Sequence, residues 1–210
     1  MISDLQVLLI GGPPGAGKTT LGRALAAQLG FGSLTADDLV ITGRVLTTPE
    51  SHPALHQMRS IGHTRYFTET PGAQLIADAK ALEETMWPAL DRVIASHVMA
   101  KTPTVIDWWL FSPQRIATID EGGITSIWLH VDPEVLEDRE RQLNAEFWGE
   151  SSDPEQMLGH FMERSLWRND LVFTQAKERG MPVLDQTGLE TVDDLVASAL
   201  GIVTERRDPQ

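Results

Sequence analysis

The feature that most constrains this chain is a glycine-rich segment at residues 12–19, GPPGAGKT, which fits the pattern G-x-x-x-x-G-K-[S/T]. The apolar run LQVLLI at residues 5–10 precedes it and predicts a short buried strand. The stretch at residues 18–29 follows it, carries apolar residues on one helical face, and predicts a helix that ends at Gly30. A turn between a buried strand and a helix is where such a loop wraps backbone N–H groups around a phosphate group. The segment therefore predicts a phosphate site at the first turn of an α/β fold.

The residue types in this loop match the chemistry of a nucleotide triphosphate. Glycines permit the backbone dihedrals that turn N–H groups inward, Lys18 supplies a positive charge to the β- and γ-phosphates, and the Thr19 hydroxyl can bind Mg²⁺. A glycine- and proline-rich turn with a chance lysine is the alternative, and the flanking strand and helix argue against it. The predicted nucleotide-binding residues are Gly12, Gly15, Ala16, Gly17, Lys18, Thr19 and Thr20.

Strand and helix patterns alternate along the rest of the chain. β-Branched and aromatic residues predict strands at residues 33–36, 104–110, 124–131 and, more weakly, 181–185. Two Asp-Pro-Glu triplets predict helix starts at residues 133 and 154, because Asp caps a helix and Pro favours its first position. These two helices should span residues 133–147 and 154–179. A further helical stretch is expected within residues 71–100, with a kink at Pro88. A capping box at residue 191 predicts a last helix that ends at about residue 200. The alternation predicts a mainly parallel sheet covered on both faces.

Composition narrows the class of partner. The 210 residues contain 17 Lys and Arg against 30 Asp and Glu, a formal charge of −13, which disfavours nucleic-acid binding. The chain has no cysteine, which excludes disulfides and thiolate metal sites. No apolar run is long enough to cross a membrane. We therefore expect a cytoplasmic protein of one domain without nucleic-acid or membrane partners. The sequence does not distinguish a monomer from a homodimer.

The loop motif does not identify the reaction, because motor proteins, nucleotide-dependent switch proteins and kinases all contain it. Neither asparagine, Asn144 nor Asn169, lies in an N-K-x-D motif, which disfavours a GTPase. No L-S-G-G-Q-like segment occurs, and the chain is short for a ring ATPase with its lid domain.

Four segments carry a resemblance to a known group: GGPPGAGKTT, SLTADDL, IDWWLFSP and HVDPEVLEDRERQ. Together they resemble P-loop small-molecule kinases of the nucleoside-monophosphate-kinase-like group. The region TADDLVITGRVLTTPESHPALHQM is similar to bacterial 2-phosphoglycerate-kinase-like proteins. Gluconate kinases and shikimate kinases are related families of the same group. The resemblance implies a P-loop kinase fold with a five-stranded parallel sheet, helices on both faces, and use of ATP and Mg²⁺. It also implies one domain over residues 1–203, with a substrate-binding insertion at about 40–70 and a helical lid at about 139–168, followed by a frayed tail at 204–210.

The resemblance also assigns roles to acidic residues. Asp37 would orient the acceptor hydroxyl, and Asp38 would contact the substrate; capping of the next helix is the alternative for either. Asp107 ends an apolar half-strand, where it would support the metal together with Thr19, and contact with the substrate is an equally good use.

Arginines complete the predicted site. Arg139 matches an arginine that packs on the ATP base and reaches its phosphates, while Arg164 and Arg168 share a helix face and would close over the moving phosphoryl group. Surface ion pairs are the alternative, since residues 132–170 hold 11 acids against four arginines.

The predicted insertion is locally basic. Residues 43–66 contain three arginines against Glu50 alone, a local charge of +2, which indicates an anionic acceptor bound through Arg44 and Arg59. Ordinary surface residues are the alternative. The predicted function is ATP- and Mg²⁺-dependent transfer of a phosphoryl group to a hydroxyl of a small anionic metabolite. An ATP-binding sensor without phosphotransfer stays open, and a polynucleotide-end kinase is disfavoured by the net charge.

Overall fold

The computed structural model describes residues 4–119 and 122–205. Its elements, in chain order, are β1 (Val7–Gly11), α1 (Lys18–Leu29), β2 (Gly32–Thr35), α2 (Ala36–Leu46), α3 (Pro53–Ile61), α4 (His63–Glu69), α5 (Gly72–Ala100), β3 (Thr104–Trp108), α6 (Pro113–Ile116), β4 (Ile124–Val131), α7 (Pro133–Leu143), α8 (Ala145–Gly149), α9 (Pro154–Glu178), β5 (Val183–Gln186) and α10 (Val192–Glu205).

Within the described residues the strands form one five-stranded sheet in the order β2-β3-β1-β4-β5. All of its pairings are parallel, and β1 lies at the centre between β3 and β4. The predicted fold class, an α/β protein with a five-stranded parallel sheet, is confirmed. The carboxyl end of β1 therefore opens between two neighbouring strand ends, which is where ligands bind in open α/β sheets.

Alternate residues of β1 face two different cores. Leu8 and Ile10 belong to the cluster that packs against α1 and α10, whereas Val7 and Leu9 belong to the cluster beneath α2, α5 and α9. Because side chains alternate across a strand, a central strand covered on both faces must be apolar at every position. Every residue of β1 is buried, as its unbroken apolar run predicts.

Most predicted elements match the structure. Helix α1 and strand β4 have the predicted bounds, and α9 begins at Pro154, capped by the Asp153 side chain. Helix α5 runs through Pro88 over its whole length. The capping box at α10 is present, since Asp194 N donates to Thr191 Oγ1 and Thr191 N donates to Asp194 Oδ2.

Some predicted boundaries differ from the structure. The helix expected over residues 133–147 ends at Leu143, and a separate helix, α8, begins at Ala145. At this break the indole N–H of Trp148 donates to the Glu140 carbonyl, so a side chain hydrogen-bonds a carbonyl near the helix end. The helix expected to end near residue 200 continues to residue 205, into the first two residues of the predicted frayed tail; residues 206–210 lie outside the described residues.

Asn169 of α9 supports the end of β4 from the side. Strand β1 ends opposite Trp128, so Val131 lies past the end of the β1–β4 ladder. There the Asn169 side-chain amide accepts from Val131 N at 3.1 Å and donates to Val131 O at 2.7 Å. The amide is fully buried, so it satisfies two backbone groups that water does not reach.

We expect Asn169→Ala to lower the free energy of unfolding by about 2–4 kcal/mol, because two buried backbone groups lose their partners. Urea unfolding followed by circular dichroism measures the change. Asp170→Ala, an exposed neighbour on the same helix, is the control and should shift stability by less than about 0.5 kcal/mol. Equal losses in the two variants would contradict this role of Asn169.

Candidate active site

The glycine-rich loop connects β1 to α1 and is held in shape by its neighbours. Gly15 and Gly17 have φ values of 76° and 80°, a region that other residues rarely adopt. Ala16 N donates to Pro13 O at 3.3 Å inside the loop. From β5, the Gln186 side chain donates to Ala16 O at 3.0 Å. The loop is therefore fixed by its own turn and by the neighbouring strand.

Lys18 is the first residue of α1, and only 8% of its surface is exposed. Its Nζ donates to Pro13 O at 2.6 Å. Burial lowers the pKa of Lys18 to about 8, and the charges of Asp37 and Asp107 act in the opposite direction. The loop thus holds a desolvated ammonium group next to two carboxylates.

Asp107 and Thr19 come together although 88 residues separate them. The Thr19 hydroxyl donates to Asp107 Oδ2 at 2.9 Å, and Thr35 Oγ1 lies 3.4 Å from the same oxygen. Asp107 is 3% exposed and lies one residue before the end of the β3 segment that pairs with β1. Burial raises its pKa, and the Thr19 hydrogen bond opposes that rise. The two residues predicted as metal ligands are therefore neighbours.

The two neighbouring acids of α2 have different surroundings. Asp37 lines the cavity described below, where burial raises its pKa and Lys18 lowers it. Taken as whole residues both acids are exposed, but Asp38 is absent from the cavity lining among the described residues. Neither caps the helix, because Thr35 takes the N-cap position. The geometry favours Asp37 for contact with a ligand.

A cavity of about 590 Å³ begins at the loop and extends between the helices. Gly15, Lys18, Thr19 and Asp107 line its end at the loop. Helices α2, α3, α4 and α5 form one side, and α8 and α9 form the other. The remaining loop residues have other positions: Gly12 packs on Leu129, Ala16 is buried, Gly17 precedes α1, and Thr20 is exposed.

The segment after β4 contacts the segment after β2 beside the cavity. The Thr64 and Glu150 side chains are hydrogen-bonded, and the Thr68 and Ser151 hydroxyls are 2.7 Å apart. Gln156 Nε2 donates to Thr68 O at 2.8 Å. The predicted lid and the predicted insertion thus contact each other, and the cavity stays partly open to solvent, since Ile41 of its lining is 51% exposed.

Glu140 of α7 is a site residue that sequence reasoning missed. It is 4% exposed and lines the cavity. A methyl group added at Gly15 would collide with Glu140 Oε1, and the Asn144 amide donates to Oε2 at 2.7 Å. Burial raises the pKa of Glu140, and the hydrogen bond from Asn144 opposes this. The sequence signal that could have identified Glu140 is its four-residue spacing from Asn144, because this spacing places both side chains on one helix face.

The three predicted arginines occupy three different environments. Arg139 donates to Gln186 Oε1 at 2.8 Å and is not part of the described cavity lining. Arg164 lines the cavity and is 8% exposed. Arg168 is fully buried; its Nε donates to Trp109 O at 2.8 Å. Because α9 packs along α5, Arg168 lies inside the protein, behind the lining residue Trp109, and does not itself line the cavity in the described structure.

The two arginines of the predicted insertion, Arg44 and Arg59, have different positions relative to the main cavity. Arg44 lines the main cavity, and its Nε donates to Leu55 O at 2.6 Å. Arg59 is exposed and lines a smaller neighbouring cavity of about 150 Å³, together with Arg44 and His56. Of the two, only Arg44 reaches the main cavity in the described structure.

Two other features, a cluster of metal-binding side chains and a membrane-spanning helix, are absent from the described residues. Within residues 4–119 and 122–205, no group of three or more His, Cys, Asp or Glu side chains is arranged to hold a metal ion. Over the same residues, no helix combines the length and apolar character needed to cross a bilayer.

Comparisons with known proteins agree with this geometry. No protein-family model matches the chain. A curated 2-phosphoglycerate kinase of Pyrococcus horikoshii is 22% identical over 188 residues, which cover 88% of this chain and 60% of that protein. The chain thus spans about 60% of the length of this relative.

Two solved structures share the fold over nearly their whole length. A sugar kinase from Janibacter aligns with a TM-score of 0.58 and 17% identity, covering 94% of this chain and 93% of that one. A shikimate kinase from Acinetobacter baumannii, in complex with shikimate, aligns with a TM-score of 0.55 and 16% identity, covering 98% and 97%. The predicted resemblance to P-loop small-molecule kinases is confirmed.

The buried charge of Lys18 predicts a cost in stability. Its pKa is about 8 in the folded protein against an ordinary 10.5, so below pH 8 both states are charged and the folded state bears the desolvation. We expect Lys18→Met to raise the free energy of unfolding at pH 7 by on the order of 2–3 kcal/mol. The gain should shrink as the pH rises from 8 to 10.5, where wild-type Lys18 loses its proton.

Urea unfolding of both proteins at pH 7 and pH 10 measures this difference. Lys177→Met, at an exposed position, is the control and should change stability by less than about 0.5 kcal/mol at either pH. A Lys18→Met protein less stable than wild type at pH 7 would contradict the argument.

Proposed function

We propose that this protein transfers the γ-phosphoryl group of ATP to a hydroxyl of a small, anionic metabolite, with Mg²⁺ as cofactor. The observation that carries the proposal is the convergence of Lys18, Thr19, Asp107 and Asp37 at one end of a cavity. The kinase names of the curated relative and of the solved structures support the same class of reaction.

The nucleotide would bind with its phosphates on the loop. Gly15 and Gly17 hold the loop open at positive φ, and Lys18 supplies the positive charge for the β- and γ-phosphates. Lys18 donates to Pro13 O, so phosphate oxygens would replace a backbone carbonyl as its acceptor. Arg139 and Gln186, hydrogen-bonded beside the loop, are proposed to border the base.

The side chains fit Mg²⁺. Thr19 Oγ1 and Asp107 Oδ2 are hard oxygen donors 2.9 Å apart, and Mg²⁺ is usually held by one or two protein oxygens together with phosphate oxygens and waters. When bound, Mg²⁺ neutralises charge that develops on the transferred phosphoryl group. Asp107 and Thr19 would hold it, and Thr35 keeps Asp107 oriented from the other side.

Asp37 is positioned for the acceptor. In the proposed step the acceptor oxygen forms a bond to the γ-phosphorus, the bond from that phosphorus to the β-γ bridging oxygen breaks, and ADP leaves. The hydroxyl proton passes to the Asp37 carboxylate, whose pKa is raised by burial. Phosphoryl transfer depends mainly on alignment and charge stabilisation, so Asp37 acts chiefly by orienting the hydroxyl near Lys18.

Incubation of the protein with Mg·ATP and mixed hydroxy acids, phosphorylated hydroxy acids and sugars tests the proposal. Phosphorus NMR should show a new phosphate ester together with ADP. Lys18→Met, which is expected to fold, should abolish both ester formation and tight ATP binding. Unchanged turnover in this variant would reject the proposal.

Neighbouring acids separate the role of Asp37 from a general charge effect. With the acceptor that this screen identifies, Asp37→Asn should lower kcat by at least about 100-fold and change ATP binding little. Asp38→Asn, whose side chain lies outside the cavity lining, should retain most of the rate. Steady-state kinetics measures both variants, and a larger loss in Asp38→Asn would reverse the assignment.

A second candidate, an ATP-binding sensor without phosphotransfer, is favoured by one observation. The Glu140 carboxylate lies against Gly15 of the loop, so an acid is buried where phosphates would enter. Binding would require this carboxylate to move or to take up a proton. Under this candidate, ATP would shift the melting temperature and no metabolite would be phosphorylated.

Under either candidate Glu140 should weaken ATP binding by charge repulsion. Glu140→Gln keeps the side-chain shape and an acceptor for Asn144, so the Kd for ATP should fall by about tenfold or more. Asp138→Asn on the exposed face of α7 is the matched control and should leave the Kd within about twofold. Isothermal titration calorimetry measures both; weaker ATP binding in Glu140→Gln would contradict repulsion.

A further inference from the structure

The half of the cavity away from the loop, called here the far half, is mostly apolar. It is lined from α2, α3 and α5 by Val40, Ile41, Ala54, Met58, Ala79 and Leu82. A ligand that fills this space removes apolar surface from water, which favours a ligand with hydrocarbon surface of its own.

Aromatic rings form the opposite wall. Phe147 lies 4.7 Å from His63 and 4.8 Å from Trp148 between ring centroids, and Trp148 lies 5.1 Å from Phe161. All four residues line the cavity. Such a wall offers ring faces and edges and few hydrogen-bonding groups.

The polar side chains of the far half largely satisfy one another. Asp78 accepts from Gln57 Nε2 at 2.8 Å, from Gln74 Nε2 at 2.7 Å and from Tyr66 Oη at 2.7 Å. Arg44 uses its Nε for Leu55 O. A ligand with many hydroxyl groups would compete with these contacts to find partners.

Arg164 differs from these groups. Its guanidinium lies over three rings, 4.7 Å from the Trp109 centroid, 4.8 Å from Phe161 and 5.0 Å from Phe67. Its buried Nε has no hydrogen-bond partner, and among the described residues it forms no salt bridge. Burial lowers its pKa to about 10, and the Glu140 and Asp78 carboxylates, which lie beyond ion-pair distance, oppose this. A caged cation that lines the cavity without an ion pair is suited to an anion brought by a ligand.

Arg168, one turn along α9, is the second buried arginine of this helix. Its Nη1 lies 3.6 Å from Glu83 Oε2, and its Nε donates to Trp109 O, while neither Nη1 nor Nη2 forms a hydrogen bond. It does not belong to the described cavity lining. Arg168 thus has an acid within ion-pair distance, whereas Arg164, which lines the cavity, has none among the described residues.

We infer that the acceptor is a hydrophobic hydroxy acid: an apolar ring or hydrocarbon body that carries one anionic group for Arg164 and a hydroxyl for Asp37. This rests on the proposed function and narrows it, because sugar acids and other polyols are excluded as preferred acceptors. The anionic group is a carboxylate or a phosphate ester, since both pair with a guanidinium.

Equilibrium binding to the 210-residue protein in the presence of Mg·ADP tests the ligand class without requiring turnover. The probes are 3-phenyllactate, benzyl phosphate, gluconate and 1-phenyl-1,2-ethanediol, measured by calorimetry. We expect at least one of the two aromatic anions to bind about tenfold or more tightly than gluconate, which lacks the apolar body, and than the diol, which lacks the anion. The tighter of the two identifies the anionic group.

Arg164→Met should remove the advantage of the aromatic anion over the diol and leave the diol's Kd within about threefold. Arg141→Met, at an exposed ion pair with Glu137 and Glu155, is the matched arginine control and should preserve the wild-type ranking. The ranking of probes in wild-type protein needs no variant, so the inference stays testable if Arg164→Met fails to fold.

The outcomes separate the two proposals. Gluconate binding as tightly as the aromatic anions, absence of binding by both aromatic anions at millimolar concentration, or an unchanged ranking in Arg164→Met overturns the ligand class. The expected ranking without phosphorylation of any bound hydroxy acid supports the ligand class and counts against phosphotransfer. Phosphorylation of gluconate in preference to phenyllactate supports phosphotransfer and overturns the ligand class.

Discussion

The hydrogen bond between Thr19 and Asp107 is the contact on which the site depends. It joins the first turn of α1 to the end of β3, and it forms because β1 and β3 are parallel neighbours whose carboxyl ends meet at one edge of the sheet. A different strand order would separate these side chains. The same parallel arrangement sets Asp37, which follows β2, beside Lys18. The sheet topology thus brings together three segments that are distant in sequence.

The cavity concentrates unusual charges. Lys18, Asp107, Glu140 and Arg164 are all buried, and burial shifts the pKa of each group in the direction that favours its neutral form. Charges held away from water interact strongly with a ligand that complements them. They also make the folded protein less stable than an apolar core of the same size would. Such a distribution is typical of sites that are completed by ligands.

The loop end and the far half of the cavity differ in how clearly the sequence identifies their residues. The loop end is built from backbone and from residues whose types are dictated by phosphate chemistry, so its motif is visible in the sequence. The far half is built from side chains of α2–α5, α8 and α9 that are ordinary core residues when considered singly. Their functional role is indicated by Arg164, which is surrounded by aromatic rings and forms no salt bridge among the described residues.

The sequence by itself determined the strand–loop–helix unit, the alternation that gives a parallel sheet, the capped starts of α7 and α9, and the identity of Lys18, Thr19, Asp37 and Asp107 as site candidates. These features are local, because periodicity, caps and loop glycines act over a few residues. Tertiary structure alone decided that Asp37 and not Asp38 lines the cavity, that Arg168 is internal, and that Glu140 lies on the loop. Which face of a helix meets a cavity depends on how α7 and α9 pack against elements far away in sequence, and no local pattern encodes that contact.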